Sequence, residues 1–197
     1  MDGFGAPREL ANVMRAFPER WGVCGGWSID LALGRVTREH KDVEVAILRE
    51  HQTPLQRLLA DAGWTMEKAM AEGFAHWRPG EFVELPVHCI WCRHEKHAPT
   101  FFEILLNEST GSEFVYRRDP RVRLDLDAAF PVSPSGPRML APEIVLLYKA
   151  KQTTAVDEAD FRAVLPALGA GQRVWLGEAL RTAHPGHRWI DRLAGAR

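Results

Sequence analysis

Two hydrophobic periods run along the chain, and each marks a different kind of element. Residues 42 to 48, DVEVAIL, put Asp42, Glu44 and Ala46 on one side and Val43, Val45 and Ile47 on the other, the period of two expected of a strand with one buried face. Within residues 8 to 17, Leu10, Val13, Met14 and Phe17 fall on one face of a short helix. A strand is predicted at Trp21 to Cys24, broken by Gly25-Gly26. Ser28 to Leu33 then reads as a helix that Gly34 stops. Leu55, Leu58, Leu59 and Ala62 form the apolar stripe of a helix through Pro54 to Gly63, and further strands are expected at 73–78, 82–92, 100–106 and 113–117.

From Pro142 the character changes. PEIVLLYKAK, DEADFRAVLPAL, QRVWLGEALRTA and HRWIDRL read as helices separated by proline or glycine. The pattern therefore predicts an α+β part over residues 1–130 and a helical part over 138–197, closely docked, with the proline-bounded stretch Pro131 to Pro137 as the boundary.

A chain of 197 residues with 46% hydrophobic positions is long enough to bury a sizeable core. Its formal charge of -1 offers no global field for DNA, RNA or an anionic membrane, so neither nucleic acid nor membrane is expected as a partner. Three cysteines cannot all pair internally, and no apolar N-terminal run follows a basic region, which points to a reducing cytoplasm. His88, Cys89, Cys92, His94 and His97 offer a CxxC with histidines, but on a strand Cys89 and Cys92 face opposite sides, which argues against zinc.

The candidate chemistry lies earlier. Carboxylates two apart on a strand converge on one side and can share magnesium, which favours oxygen ligands, as Asp42 and Glu44 would. Gly25 and Gly26 let a backbone approach phosphate closely, and helix amides near Ser28 point their dipoles at an anion. In FFEILL, Glu103 shares a face with Phe101 and Leu105 and is the one acid in an apolar strand. Glu84, by contrast, lies near Gly80 and Pro86 in edge-like sequence.

The run Cys24-Gly25-Gly26-Trp27-Ser28-Ile29-Asp30, then Gly34 to His40, then Asp42-Val43-Glu44-Val45 resembles the fingerprint of the nucleotidyltransferase superfamily. Within it, the small antibiotic-modifying adenylyltransferases of the aminoglycoside and lincosamide type are the most similar. FFEILLNE at 101–108, YRRDPR at 116–121, PEIVLLYKAK and DEADF extend the resemblance over most of the chain. It implies a mixed β-sheet flanked by helices, with a C-terminal helical segment. It implies Mg²⁺ held by Asp42, Glu44 and Glu103, which are also the catalytic residues, and transfer of AMP from ATP to a hydroxyl of a small molecule. Gly25, Gly26, Ser28, Arg38 and Lys149 are the residues expected at the nucleotide.

Lys149 and Lys151 are two residues apart, about 200° around a helix, so only one can enter a cleft. Arg35 and Asp30 are expected to form an ion pair fixing the loop, with His40 supporting the strand. Glu108, Glu113 and Asp157 are candidate acids for a cationic acceptor. The chain departs from its relatives in having Glu44 where Asp is common, and QTTAV where basic residues are common. A non-catalytic nucleotide-binding or antitoxin-like regulatory protein of the same fold is the alternative, transfer to a protein or RNA hydroxyl a third, and a homodimer is compatible with each.

Overall fold

In the computed structural model, which describes residues 3–134 and 136–195, the alternating segments build one mixed eight-stranded sheet. The chain opens with α1 (Gly5–Val13), continued by a 3-10 turn over Met14–Ala16, then β1 (Trp21–Cys24) and α2 (Gly25–Leu33). Next come β2 (Glu44–Leu48), a 3-10 turn, α3 (Gln52–Asp61), β3 (Thr65–Met70) and β4 (Gly73–His76). β5 (Cys89–Arg93), β6 (Phe101–Thr110), β7 (Glu113–Val115), β8 (Arg123–Asp125) and the short α4 (Leu126–Ala129) follow. The remainder is helical: α5 (Pro142–Lys149), α6 (Ala155–Val164), α7 (Ala170–Ala183) and α8 (Trp189–Gly195). Among the described residues no helix is long and apolar enough to cross a membrane.

The strand order is β1-β2-β6-β5-β3-β4, with β7 and β8 continuing from the far end of β6. β2 and β6 are parallel, and every other pair is antiparallel. Two apolar clusters lie on opposite faces. One joins Leu10, Val45, Ile47, Leu55, Ile90, Phe102 and Ile104 under α1 and α3. The other joins Ala46, Leu48, Phe114 and Ile29 to Ile144, Leu147, Phe161 and Leu180 of the C-terminal helices. β2 is thus buried on both faces beyond Glu44, not on one, because the C-terminal helices cover the side that alternation alone leaves open.

Several boundaries move for local reasons. Asp42 lies just before β2, which starts at Glu44. The glycine pair is the first turn of α2 and not a break ahead of it. The strand expected at 82–92 shrinks to β5, since residues 77–88 run as turns and loop with Pro86 in the cis form. Thr65–Met70 is a strand that the sequence reading did not find. TMEKAM carries few apolar residues, yet its alternation seats Met66 and Lys68 on the core side. The stretch before Pro142 is tied to the sheet, Leu140 N–H donating to Val23 O at 2.8 Å and Val23 N–H to Arg138 O at 2.9 Å. The C-terminal helices share one core with the sheet.

Candidate active site

The centre of the site is a row across the sheet. Cys24 of β1 faces Glu44 of β2, and Glu44 faces Glu103 of β6 in the parallel ladder. Glu103 N–H donates to Val43 O at 3.1 Å, so the pairing reaches back toward Asp42, whose own carbonyl accepts from Trp27 Nε1 at 2.9 Å. Asp42 is exposed, while Glu44 and Glu103 are half-buried. Burial, then Asp42 and Glu103, raise the Glu44 carboxyl to about 7 from its ordinary 4.5, with Lys149 and Arg38 opposing. Burial likewise raises Glu103, against a hydrogen bond from the Cys89 thiol at 3.3 Å.

The glycines are required by these side chains. Gly25 has φ +62°, and a Cβ there would lie 1.4 Å from Glu44 Oε2. A Cβ on Gly26 would lie 2.1 Å from Arg38 Nη2 and 2.8 Å from His40 Nδ1. Glu44 thus rests its carboxylate against the positive end of α2. Ser28 is fully buried, and its hydroxyl donates to Leu140 O at 2.5 Å; Ser28 does not itself border the cleft, although Leu140 does.

A second layer comes from α6. The Thr154 capping box uses Oδ2 of Asp157, leaving Oδ1 to accept from Lys149 Nζ at 2.5 Å. Asp160, one turn on and buried, lies 3.1 Å from Lys149 and accepts two bonds from Arg38, at 2.9 and 3.1 Å. The expected Arg35–Asp30 pair is not what forms. Asp30 is buried and takes His40 Nε2 at 2.7 Å and the Thr37 hydroxyl at 2.5 Å, while Arg35 is exposed. His40 also stacks on Trp27, ring centroids 4.1 Å apart.

Beside this row lies a cleft of about 390 Å³ between the sheet and α5, which Glu103 does not itself line although its ladder neighbour Glu44 does. Gly25, Gly26, Arg38, Asp42, Glu44 and Lys149 all border it. Lys151 and Glu84 are exposed and lie outside it. The sequence reading missed the far end, where Asn107, Arg117 and Tyr148 meet. Arg117 lies 5.3 Å from the Tyr148 ring centre, and the Tyr148 hydroxyl donates to Asn107 Oδ1 at 3.4 Å. YRRDPR marked that loop, but Tyr148 carried no signal inside an apolar helix. Of the three candidate acceptor acids, Glu108 binds Arg49, Glu113 binds Arg123, and Asp157 serves Lys149.

Among the described residues no three His, Cys, Asp or Glu side chains close around a point as a self-sufficient metal cage. Cys89 turns to Glu103 and Cys92 into the core, on opposite faces of β5. The donor set at Asp42, Glu44 and Glu103 nevertheless suits Mg²⁺. It is all carboxylate oxygen, its mutual repulsion calls for a counter-charge, and this ion uses few protein ligands, completing its shell with phosphate and water.

Comparison with known proteins agrees with this fold. The family described as aminoglycoside-2''-adenylyltransferase matches residues 8–99, a stretch that contains the glycine pair, Asp42 and Glu44 and ends before Glu103. A lincosamide resistance protein of Staphylococcus haemolyticus is 29% identical over 73 residues, which are 34% of this chain and 41% of that protein, so the match spans about two fifths of the relative. Three solved structures share the fold, each at 18% identity. Lincomycin-bound LnuA, a lincosamide antibiotic adenylyltransferase, has a TM-score of 0.55 over 80% of this chain and 94% of its own. ANT(2'')-Ia in solution has 0.59 over 92% and 93%, and its complex with adenylyl-2''-tobramycin has 0.57 over 87% and 93%. The chain thus resembles the antibiotic adenylyltransferases, by sequence over residues 8–99 and by fold over most of its length.

Proposed function

We propose that the chain is an Mg²⁺-dependent nucleotidyltransferase that moves AMP from ATP to a hydroxyl of a small molecule of the antibiotic class. The observation that carries this reading is the direct pairing of Glu44 with Glu103, beside Asp42 and over the start of α2. Asp42, Glu44 and Glu103 are the residues that would hold Mg²⁺, which when bound neutralises phosphate oxygens. Gly25, Gly26, Arg38 and Lys149 border the same cleft and form its nucleotide side. Ser28, through its bond to Leu140, ties α2 to the segment that leads into α5.

Glu103 is the group that takes the proton from the acceptor hydroxyl. Its carboxyl is held above the ordinary range by burial, which brings its basicity nearer to the task. The acceptor oxygen then bonds to the α-phosphorus, and the bond to the bridging oxygen breaks. Pyrophosphate leaves with that electron pair, giving an adenylylated product, pyrophosphate and a proton. Arg38 and Lys149, fixed by Asp160 and Asp157, face the charge that develops on the leaving group.

Pyrophosphate release from ATP and Mg²⁺ with lincomycin or tobramycin, with mass analysis of the acceptor, tests the reading. A mass gain of one AMP on either acceptor supports it. Mg²⁺-dependent ATP binding without any product would favour a non-catalytic binder, and labelled macromolecule would favour protein or RNA as acceptor.

A further inference from the structure

The two ends of the cleft carry opposite charge, and the charge at one of them is unanswered. Glu44 pairs with Glu103, and further along the same ladder Leu48 pairs with Asn107, so the rise of a strand sets the two ends about 13 Å apart. At the first end stand the carboxylates of Asp42 and Glu44, and the cations there, Arg38 and Lys149, are held by Asp160 and Asp157. At the second, Arg117 and Arg118 border the cleft beside Asn107 and Tyr148.

No acid meets these two arginines. Among the described residues the Arg117 guanidinium makes no ion pair and no hydrogen bond, and its one close neighbour is the Tyr148 ring, 5.3 Å away at the centre. Arg118 donates to neutral oxygens, Tyr148 O at 2.8 Å and the Tyr116 hydroxyl at 3.4 Å. The acids adjacent in sequence, Glu108 and Asp119, are already engaged by Arg49 and Arg121. Arg49 is itself buried and keeps Nη2 without a partner. Burial, then Arg118 and Arg49, lower the Arg117 pKa from its ordinary value, opposed by Tyr148 and Tyr116 alone. A half-buried guanidinium among like charges is balanced only by an anion.

The strand between the two ends shows what could join them. Glu103, Leu105 and Asn107 alternate onto one face of β6, and Leu105, with Leu140 and Val145, gives the cleft an apolar middle. We propose that Arg117, with Arg118, seats an anionic group of the acceptor, a carboxylate or phosphate carried about 13 Å from the hydroxyl that reacts. The proposal rests on the reading of Glu103 as the group at that hydroxyl, and it narrows the acceptor to an alcohol that also bears an anion. The nucleotide's own phosphates belong to the first end, with Arg38 and Lys149, and do not neutralise the second.

Inorganic phosphate is the probe, followed by the broadening of its phosphorus resonance, with the nucleotide side filled by Mg²⁺ and a non-hydrolysable ATP analogue. The expected result is saturable binding that persists beside the analogue, weakens about tenfold in Arg117→Ala and recovers in part in Arg117→Lys, which restores the charge without the planar fork. Melting curves show whether each variant keeps its fold. Phosphate that binds alone but is expelled by the analogue would overturn the proposal, since the seat would then belong to the nucleotide. Absence of phosphate binding, or equal binding in Arg117→Ala, would overturn it too. The analogue's own Mg²⁺-dependent binding, read in the same samples, separates the two ideas. An analogue that does not bind defeats the functional reading, while phosphate binding that needs Arg117 leaves the anion seat standing. An analogue that binds, with phosphate indifferent to Arg117, defeats the seat alone.

Discussion

The Glu44 carboxylate occupies the space where residue 25 would carry a side chain: a Cβ on Gly25 would come within 1.4 Å of Glu44 Oε2. The glycine is therefore needed twice, once for its φ of +62° and once for this contact. Gly25→Ala is expected to lower kcat at least a hundredfold and to cost about 1–2 kcal/mol of stability, since it displaces the carboxylate proposed to hold Mg²⁺ and strains the start of α2. Steady-state kinetics and thermal melts check it. An active Gly25→Ala enzyme would mean that Glu44 is free to leave its place without consequence.

Glu44 is expected to destabilise the metal-free fold. Its carboxyl is raised from 4.5 to about 7 by burial and by Asp42 and Glu103. A group with a raised folded pKa contributes stability below its unfolded value, here about 4.5, and that contribution is lost as pH rises through about 7. Glu44→Gln is expected to match the parent near pH 5 and to exceed it at pH 8 by on the order of 2 kcal/mol, in chelator, while losing activity. Denaturant melts at the two pH values measure this, and equal stability at both would refute the repulsion.

Asp160 serves two cations at once, Arg38 and Lys149, from a buried position. Removing its charge leaves both without their shared partner. Asp160→Asn is expected to cost about 3 kcal/mol and to raise KM for ATP at least fivefold. A lower KM would instead identify Asp160 as a competitor of phosphate for the same cations.

Ser28 separates a structural role from a binding one. Its hydroxyl bonds Leu140 O, joining α2 to the segment that leads into α5. Ser28→Ala is expected to cost about 1 kcal/mol and to leave KM for ATP within twofold of the parent. A tenfold rise would return Ser28 to the nucleotide site.

How much was readable in advance depends on how local each signal is. The facing of Val43, Val45 and Ile47 against Glu44, and of Phe102, Ile104 and Leu106 against Glu103, follows from pleat geometry and was legible residue by residue. The strand Thr65–Met70 was not, because it carries few apolar residues and is stabilised by its neighbours β4 and β5. The partners of Asp30 were misread for a related reason. Arg35 is nearer in sequence, but the loop brings Thr37 and His40 back onto the carboxylate and leaves Arg35 outside.

By itself the sequence determined the parity of the carboxylates, the glycines that allow a close approach, and the change from strands to helices near Pro142. All of these depend on bonds and clashes within a few residues. Only the tertiary structure decided that Glu103 stands beside Glu44, that Asp160 holds both Arg38 and Lys149, and that Trp91 continues the row past Glu103. Those relationships join elements 59, 122, 11 and 12 residues apart in number, and what sets them is the strand order and the docking of α5 and α6 on a face that the sheet cannot bury alone.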